Sequence, residues 1–318
     1  MPIFHKQFIL ISLIFTLTGG ANLAHGQVAT QEFTGGIPRF MNSRTLGVSV
    51  PTFIPDNPAA MQWVSNSTIG AGFSTGNSES NVTGKSENFQ GATGGLSWVK
   101  DTLGIGVETM AHQLSYAGTE YSERLNGLAI STQPLKWMAF GVGLELSKQT
   151  VNGQENFIES SIYGLSFKMG SAFYLGLGMS KDSYENKTFL QEGKGNGQMF
   201  GMALMGGKST QWHAEYSLVR KDDFVSIAGV SYFGGYTRSL FEVEMVSGAF
   251  LLGLAGFNLD YPGPNQTTSG SSLDIGTWRK DGLKLLLRVE QNVTSAGTTK
   301  IDEQVISLHI AQAFGKKK

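Results

Sequence analysis

The sequence lacks cysteine altogether and carries few charges. With no Cys among its 318 residues, a disulfide framework, a thiolate metal site and a cysteine nucleophile are all excluded. Charged residues make up only 15% of the chain, and the formal net charge of −1 gives no electrostatic footprint for nucleic acid. A disulfide-stapled domain and a nucleic-acid-binding protein are therefore not expected.

Long apolar runs are also missing, apart from one near the start of the chain. Lys6 precedes an apolar stretch over 8–17, and the small residues of 24–26 follow it. This arrangement is typical of a secretion signal, and the run is shorter than the roughly 20 apolar residues that span a bilayer. We therefore predict a cleaved signal peptide over 1–26.

What the rest of the chain does contain is alternation. Met138, Phe140, Val142, Leu144 and Leu146 fall on one face of an extended segment, while small or polar residues occupy the other. Similar segments recur for some 250 residues, and the chain holds 42 Gly, which strands tolerate where a sheet bends. Many such segments behind a secretion signal predict an all-β fold, an antiparallel transmembrane β-barrel with apolar residues outward to lipid.

The number of strands is constrained by parity. Fifteen candidate strands can be placed between 67 and 314, whereas a bacterial barrel needs an even number. The least regular stretch is 221–270, and elsewhere tight connections alternate with longer ones near 76–87, 116–122, 150–156 and 184–195. We predict about fourteen strands, with twelve and sixteen left open.

Two further patterns suit a membrane barrel. On the last strand Ile306, Leu308, Ile310 and Phe314 share one face, which resembles the carboxy-terminal signal read by the outer-membrane insertion machinery. Aromatic residues near segment ends are expected at the lipid headgroups. They are Trp98, Trp137, Trp212, Tyr184, Tyr232 and Tyr236.

The segment before the first strand carries a specific resemblance. Arg44-Thr45-Leu46-Gly47, followed by Asp56-Asn57-Pro58-Ala59-Ala60-Met61, resembles the start of the FadL-like family of long-chain fatty-acid transporters of the outer membrane. The resemblance implies an amino-terminal hatch inside a fourteen-stranded barrel, with Asn57, Pro58 and Ala59 as the part that gates hydrophobic ligands. From the residues alone, Asn57 is suited to cap a helix that begins at Pro58.

These observations divide the chain into four parts. They are the signal peptide (1–26), an N-terminal hatch or plug segment (27–66), the outer-membrane β-barrel (67–314) and a basic tail (315–318). The connections at one end are too brief to build the large extracellular groove that captures ligand in the resembled family, so we expect no such groove here.

Charged residues of both signs are predicted on the inward faces of the strands, where they either line water or pair across the lumen. The candidates for the lining are Glu108, His112, Glu145, His213, Glu215, Arg238, Glu242, Glu244, Arg288 and Glu290.

Catalytic chemistry is not indicated. His112, His213 and His309 are the histidines beyond the signal peptide, and no Ser or Asp near them has nucleophile or metal-ligand spacing. The sequence therefore predicts a non-enzyme with no catalytic residue, metal site or cofactor.

The leading functional hypothesis is passive transport of hydrophobic, fatty-acid-like small molecules across the outer membrane of a Gram-negative bacterium. Expected partners are membrane lipids, a hydrophobic ligand and the outer-membrane insertion machinery. Two alternatives remain: a structural, homo-oligomeric outer-membrane protein associated with lipid, and a general diffusion porin. A continuous apolar tunnel reaching Asn57 would favour transport, and an unpaired small-residue patch outside the barrel would favour assembly.

Overall fold

The structure is a computed structural model that describes residues 54, 56–63, 66–81, 86–116, 119–151, 153–207, 210–229, 231–232, 235–262, 265–278 and 282–316. The predicted signal peptide, most of the hatch segment, the Arg44 part of its motif and residues 317–318 lie outside this description. Within it, none of the helical segments is long and apolar enough to cross a membrane.

The described chain is almost entirely β-structure, in strands that are mostly 12–18 residues long. The strands are β1 (Asn66–Ser80), β2 (Ser86–Lys100), β3 (Leu103–Tyr116), β4 (Thr119–Leu135), β5 (Met138–Val151), β6 (Gln154–Met169), β7 (Phe173–Asn186), β8 (Gln191–Gly206), β9 (Thr210–Lys221), β10 (Phe224–Val225), β11 (Ser231–Tyr232), β12 (Tyr236–Ser247), β13 (Phe250–Tyr261), β14 (Gln266–Trp278), β15 (Leu283–Ala296) and β16 (Thr299–Lys316).

Fourteen of these strands close into an antiparallel barrel, which confirms the predicted number. Neighbours in sequence pair from β1 to β9, β9 then pairs with β12, and pairing continues to β16, which closes the barrel against β1. Closure matters because lipid offers nothing to satisfy the backbone N–H and C=O groups of an open edge.

The surplus fifteenth candidate is explained by β10 and β11. They form a short hairpin, with two residues in each strand, in the 222–235 connection. β10 also pairs with β8, through Val225 and Lys194. The alternation over 224–234 predicts a barrel strand, but β10 and β11 form this hairpin instead. We call the barrel end that carries this connection the upper end, and the end where β1 begins and β16 finishes the lower end.

The other upper connections are shorter than predicted, because the strands run further. Only positions 117–118 separate β3 from β4, and 152–153 separate β5 from β6. At the lower end the turns are equally tight, and Gly170 and Gly248 take the left-handed conformation with φ of 69° and 62° that such turns need.

The outer surface carries the apolar half of each alternating pattern. On β5, Phe140, Val142 and Leu146 are 41%, 51% and 46% exposed, whereas Ala139 is fully buried. On β16, Ile306, Leu308, Ile310 and Phe314 are likewise exposed on the outer face. A band of exposed large apolar residues around a closed sheet is the surface that a lipid environment favours.

The predicted aromatic belt is present in part, with Trp98 also at an outward position between the buried Ser97 and Val99. Trp137 and Trp212 are exposed near the lower end, as expected for rings at a headgroup level. Tyr184 and Tyr236 instead lie on the inner side, stacked on Phe224 at 5.3 Å and tilted against the buried Tyr261 at 5.6 Å, respectively. Their prediction as belt residues is wrong, because position near a strand end does not decide which face a side chain takes.

Candidate functional site

A short 3₁₀ helix, Pro58–Trp63, lies inside the barrel against the inner faces of β3 to β6. The Asn57 Oδ1 atom accepts a hydrogen bond of 3.1 Å from the Ala59 N–H, and the Ala60 N–H donates to the Asn57 carbonyl at 2.9 Å. Pro58 has no N–H to satisfy at this first position. The cap expected from the sequence is therefore present, and we call Pro58–Trp63 the hatch helix.

The same Asn57 side chain fixes the hatch helix to the barrel wall. Its Nδ2 donates to the carbonyl oxygen of Leu165 on β6 at 2.8 Å and to that of Leu177 on β7 at 3.2 Å. Leu165 and Leu177 are directly paired across these strands. One buried amide thus joins the cap of the hatch helix to two strands.

The barrel wall leaves room for Asn57 and Pro58 because glycines occupy the facing positions of the strands. A Cβ atom on Gly164 would collide with Asn57 Oδ1, and one on Gly176 would lie 2.9 Å from Asn57 Nδ2. A Cβ atom on Gly141 would collide with the backbone at Pro58 and Ala59. These three glycines, on β6, β7 and β5, form what we call the glycine cradle.

Polar contacts hold the rest of the segment. Gln62 Nε2 donates to Ser131 Oγ at 2.9 Å and to the Ser131 carbonyl at 3.1 Å, and Trp63 Nε1 donates to Ser166 Oγ at 2.6 Å. On the far side of the lumen, Asp56 forms an ion pair with Arg238 of β12. The hatch segment is therefore tied to opposite walls.

Below the hatch helix the lumen is closed by apolar side chains from both walls. Trp63 meets the Tyr174 ring edge-on at 5.8 Å and packs, together with Met205, on a buried cluster near the lower end. The cluster, which we call the apolar floor, consists of Tyr174, Ala203, Val246, Leu251 and Leu286.

Most of the predicted lining residues lie on the inner side of the barrel and are almost inaccessible. Glu145 is half-buried and borders an upper cavity, while the His112 side chain lies outside the described part of the chain. The buried ones are Glu108, His213, Glu215, Arg238, Glu242, Glu244, Arg288 and Glu290, each at most 9% exposed.

The inner wall also holds ionisable residues that the sequence reading missed. Asp274 binds Arg288 through both carboxylate oxygens, with Nε to Oδ1 at 2.5 Å. Glu303 and His309 are buried on the neighbouring strand β16. Strict alternation could have found them, because each lies between exposed apolar or polar residues of the outer face.

A small cavity of about 70 Å³ lies above the hatch segment. Its lining is mixed, with the ion pair of Asp56 and Arg238 beside Ile158, Met199 and Phe224. Lys221 projects at the same level and donates to Ser180 Oγ at 2.6 Å and Asp182 Oδ1 at 2.8 Å. Engineered cavities of about 150 Å³ hold benzene, so this one admits no molecule of that size without movement.

A larger cavity of about 1030 Å³ lies at the upper end beside the β10–β11 hairpin. Its lining combines apolar residues (Leu146, Phe157, Ile158, Leu190, Val225 and Ile227) with charged ones, including Arg124, Lys148, Glu159 and Lys194. Several of these, Leu146 among them, lie on the outer faces of their strands. Ile227 is fully exposed and Leu190 is 87% exposed. The short connections predict no large ligand-capturing groove at this end, and the mixed groove that is present is formed by extended strands and the hairpin.

No family model matches the sequence, and no curated protein matches it either. Solved structures with the same fold do exist. The monoaromatic hydrocarbon channel CymD superposes with a TM-score of 0.58 at 9% identity, covering 82% of this chain and 92% of its own. A FadL homologue of Pseudomonas aeruginosa gives 0.55 at 10% identity, covering 86% of this chain and 98% of its own.

The toluene transporter TodX of Pseudomonas putida gives a TM-score of 0.50 at 9% identity, covering 81% of this chain and 91% of its own. At such identities the likeness concerns the fold. It confirms that the FadL-type barrel plan suggested by the short amino-terminal motif extends over most of the chain.

Proposed function

We propose that this protein is a passive channel for small hydrophobic molecules in the outer membrane of a Gram-negative bacterium, gated by the hatch segment. The chain would reach that membrane after cleavage of the signal peptide over 1–26, and would be inserted by the machinery that reads Ile306, Leu308, Ile310 and Phe314. Membrane lipid would surround the exposed apolar band.

The observation that carries the proposal is the set of hydrogen bonds by which Asn57 holds the hatch helix to β6 and β7, which we call the lock. The hatch helix packs inside the barrel against β3 to β6, and Asn57 fastens it to the carbonyl groups of β6 and β7. The lock consists of a few hydrogen bonds, each worth about 1 kcal/mol net, so it can open and close on a functional timescale. Asn57, Pro58 and Ala59 would then be the gate.

The cavities support a route from the upper end. The upper groove of about 1030 Å³ contains an apolar part, with Leu190, Val225 and Ile227, that would suit a hydrophobic ligand. The next space, of about 70 Å³, is too small for a ligand and is bordered by Asp56, which precedes the hatch helix. Passage therefore requires the hatch helix to shift, together with the Trp63 ring on the apolar floor.

The ligand class is hydrophobic, and two kinds of compound are candidates. The solved structures that share the fold are named as channels for monoaromatic hydrocarbons or toluene and as a FadL homologue. Long-chain fatty acids and monoaromatic hydrocarbons are therefore the compounds to test first.

Uptake by a host that lacks its own transporter tests the proposal. Cells making the unmodified protein should take up a labelled long-chain fatty acid or toluene faster than cells with an empty vector. Asn57→Ala removes the cap and both carbonyl contacts, so it should raise uptake several-fold while the barrel still forms.

Asn186→Ala is the matched control, because Asn186 bonds Asn156 and the Phe189 N–H at the upper end, away from the hatch helix. It should leave uptake near that of the unmodified protein. If neither compound enters cells that contain folded protein, the transport proposal fails.

A second function is favoured by a separate observation. A shallow groove of about 540 Å³ on the outer surface is lined by Phe73, Ala92, Ala111 and polar or charged neighbours such as Arg124 and Lys148. Small outward residues permit close approach of another barrel, as a structural homo-oligomer would need. Native electrophoresis of detergent-extracted protein distinguishes the two, since the channel proposal needs no oligomer. A general diffusion porin is disfavoured by the deep burial of the charged inner residues.

A further inference from the structure

Four residues that bear metal-ligand groups meet on the inner wall just above the apolar floor. His213 and Glu215 alternate along β9, and Glu242 and Glu244 alternate along β12. The register pairs His213 with Glu244 and Glu215 with Glu242. Alternation along both strands therefore turns all four side chains inward, in two adjacent cross-strand pairs.

Three of these residues lie within reach of one ion. One ligand atom from each of His213, Glu242 and Glu244 falls within 4.8 Å of the other two. His213 Nδ1 is 3.0 Å from Glu244 Oε2. Metal bonds of about 2.0 to 2.2 Å to nitrogen and oxygen place neighbouring ligand atoms roughly 3 Å apart. The distance between His213 Nδ1 and Glu244 Oε2 already has this value.

The orientation of the imidazole points the same way. His213 is fully buried, and among the residues that the structure describes neither of its ring nitrogens makes a hydrogen bond, although Glu244 Oε2 is close to Nδ1. An oxygen close to a ring nitrogen without a hydrogen bond between them is an arrangement that two neighbouring ligands of one ion also show. In such a pair both lone pairs are directed at the ion and not at each other.

The candidate ligand groups are shielded from water. Glu242 and Glu244 are each 1% exposed and Glu215 is 2% exposed, so three carboxylates share a region without water access. Buried charges in proteins are paired or coordinate metals, and these carboxylates suit a cation beside the interactions that they already make. The facing residue on β13 is Gly253, where a Cβ atom would lie 3.1 Å from Asp274 Cβ and 3.4 Å from Glu244 Cγ, so Asp274, which binds Arg288, borders the same site.

We infer that His213, Glu242 and Glu244 bind a divalent transition-metal ion on the inner wall of the barrel. Imidazole with carboxylates suits Zn²⁺, and also Mn²⁺ or Fe²⁺, better than Ca²⁺ or Mg²⁺, which prefer oxygen ligands alone. The ion clips β9 to β12, the two strands joined by the long 222–235 connection, directly above Val246 of the apolar floor. This assignment does not depend on what the barrel transports.

The test uses the full-length protein, folded in detergent, stripped with a chelator and titrated with Zn²⁺. We expect one Zn²⁺ per chain by elemental analysis after dialysis, and zinc X-ray absorption with one imidazole nitrogen and oxygen neighbours in the first shell. Ca²⁺ at the same concentration should not displace it.

Substitutions locate the ion. His213→Gln and Glu244→Gln should each weaken Zn²⁺ binding at least tenfold, and the temperature at which the folded band is lost on a gel should rise with Zn²⁺ in the parent but not in these two variants. His309→Gln is the matched control, because His309 is an equally buried histidine on β16. It should bind Zn²⁺ like the parent.

The X-ray absorption measurement on the unmodified protein keeps the inference testable if a variant fails to fold. Absence of stoichiometric Zn²⁺, Mn²⁺ or Fe²⁺ in the folded parent would overturn it. So would a first shell without imidazole, or full binding by folded His213→Gln protein.

Discussion

At the scale of single residues, glycines shape the inner wall as much as the residues with side chains do. Gly141, Gly164 and Gly176 interrupt three adjacent strands at the places where Asn57 and Pro58 approach. Glycine weakens a strand, since it loses backbone entropy and packs nothing. At these three positions a larger residue would block the contact between the hatch segment and the wall, so the contact requires glycine despite its cost to the strand.

The glycine cradle gives a prediction at this scale. In Gly164→Ala the new Cβ atom meets Asn57 Oδ1, so we expect the seated hatch segment to be destabilised by about 1–3 kcal/mol, as for other overpacked sites. Because the chain has no Cys, a single Ala60→Cys substitution can report hatch opening by its rate of maleimide labelling. The rate should rise several-fold in the Gly164→Ala background.

Gly201→Ala is the control for that experiment. It adds the same methyl group to an inward-facing glycine of β8, whose nearest atom would be the Tyr216 carbonyl oxygen at 3.9 Å. Labelling at position 60 should stay at the parent rate. An equal rise in both variants would show that the wall, and not the cradle, had been disturbed.

At the scale of the element, each strand separates two environments by its alternation. Every second residue of β5 is exposed on the apolar outer face, while Gly141 and Ser147 are buried on the inner face. A shift by one residue would exchange the two faces, so pairing register is strongly specified. The same rule brings His213 opposite Glu244, although they are far apart in sequence.

The lipid-facing register can be tested on β5. Val142 is half-exposed at the middle of the apolar band, so Val142→Arg should cost about 2–4 kcal/mol and reduce the folded, membrane-inserted fraction. Thr150→Arg, on the same face near the upper end, should cost only about 0–1 kcal/mol. Urea titration of refolded protein in lipid vesicles measures both, and equal costs would contradict a lipid-embedded β5.

At the scale of the whole molecule, closure is a property of the first and last strands together. β16 pairs with β15 on one side and with β1 on the other, from Ser67 opposite Phe314 to Ser80 opposite Ile301. Until this seam forms, β1 and β16 each have one edge whose backbone N–H and C=O groups are unpaired. The closed barrel then encloses the hatch helix, the apolar floor and the ionic inner wall as one unit.

The outward face of β16 at this seam can be tested as the insertion signal. Phe314→Ala removes the last outward aromatic of β16, so assembly in cells should fall several-fold if this face is the insertion signal. Gln304→Ala, on the same face near the upper end, should assemble normally. Unheated detergent samples resolve the compact folded band from the boiled one, and equal folded yields of the two variants would remove Phe314 from the signal.

The sequence by itself determined the features that rest on local rules. Alternation, glycine content and even strand parity predicted a fourteen-stranded barrel, because one face of each strand must suit lipid and the other a lumen. Asn57 followed by Pro58 predicted a capped turn for equally local reasons. The outward face of β5 and that of β16 followed from the same period of two.

Only the tertiary structure decided what meets across the lumen. The contacts of Asn57 with Leu165 and Leu177, of Asp56 with Arg238, and of His213 with Glu244 join residues that no sequence spacing relates. The inward positions of Tyr184 and Tyr236 and the upper groove likewise depended on strand lengths and on the β10–β11 hairpin. The physical reason is that period two fixes which face a side chain takes, whereas closure and register fix its neighbours.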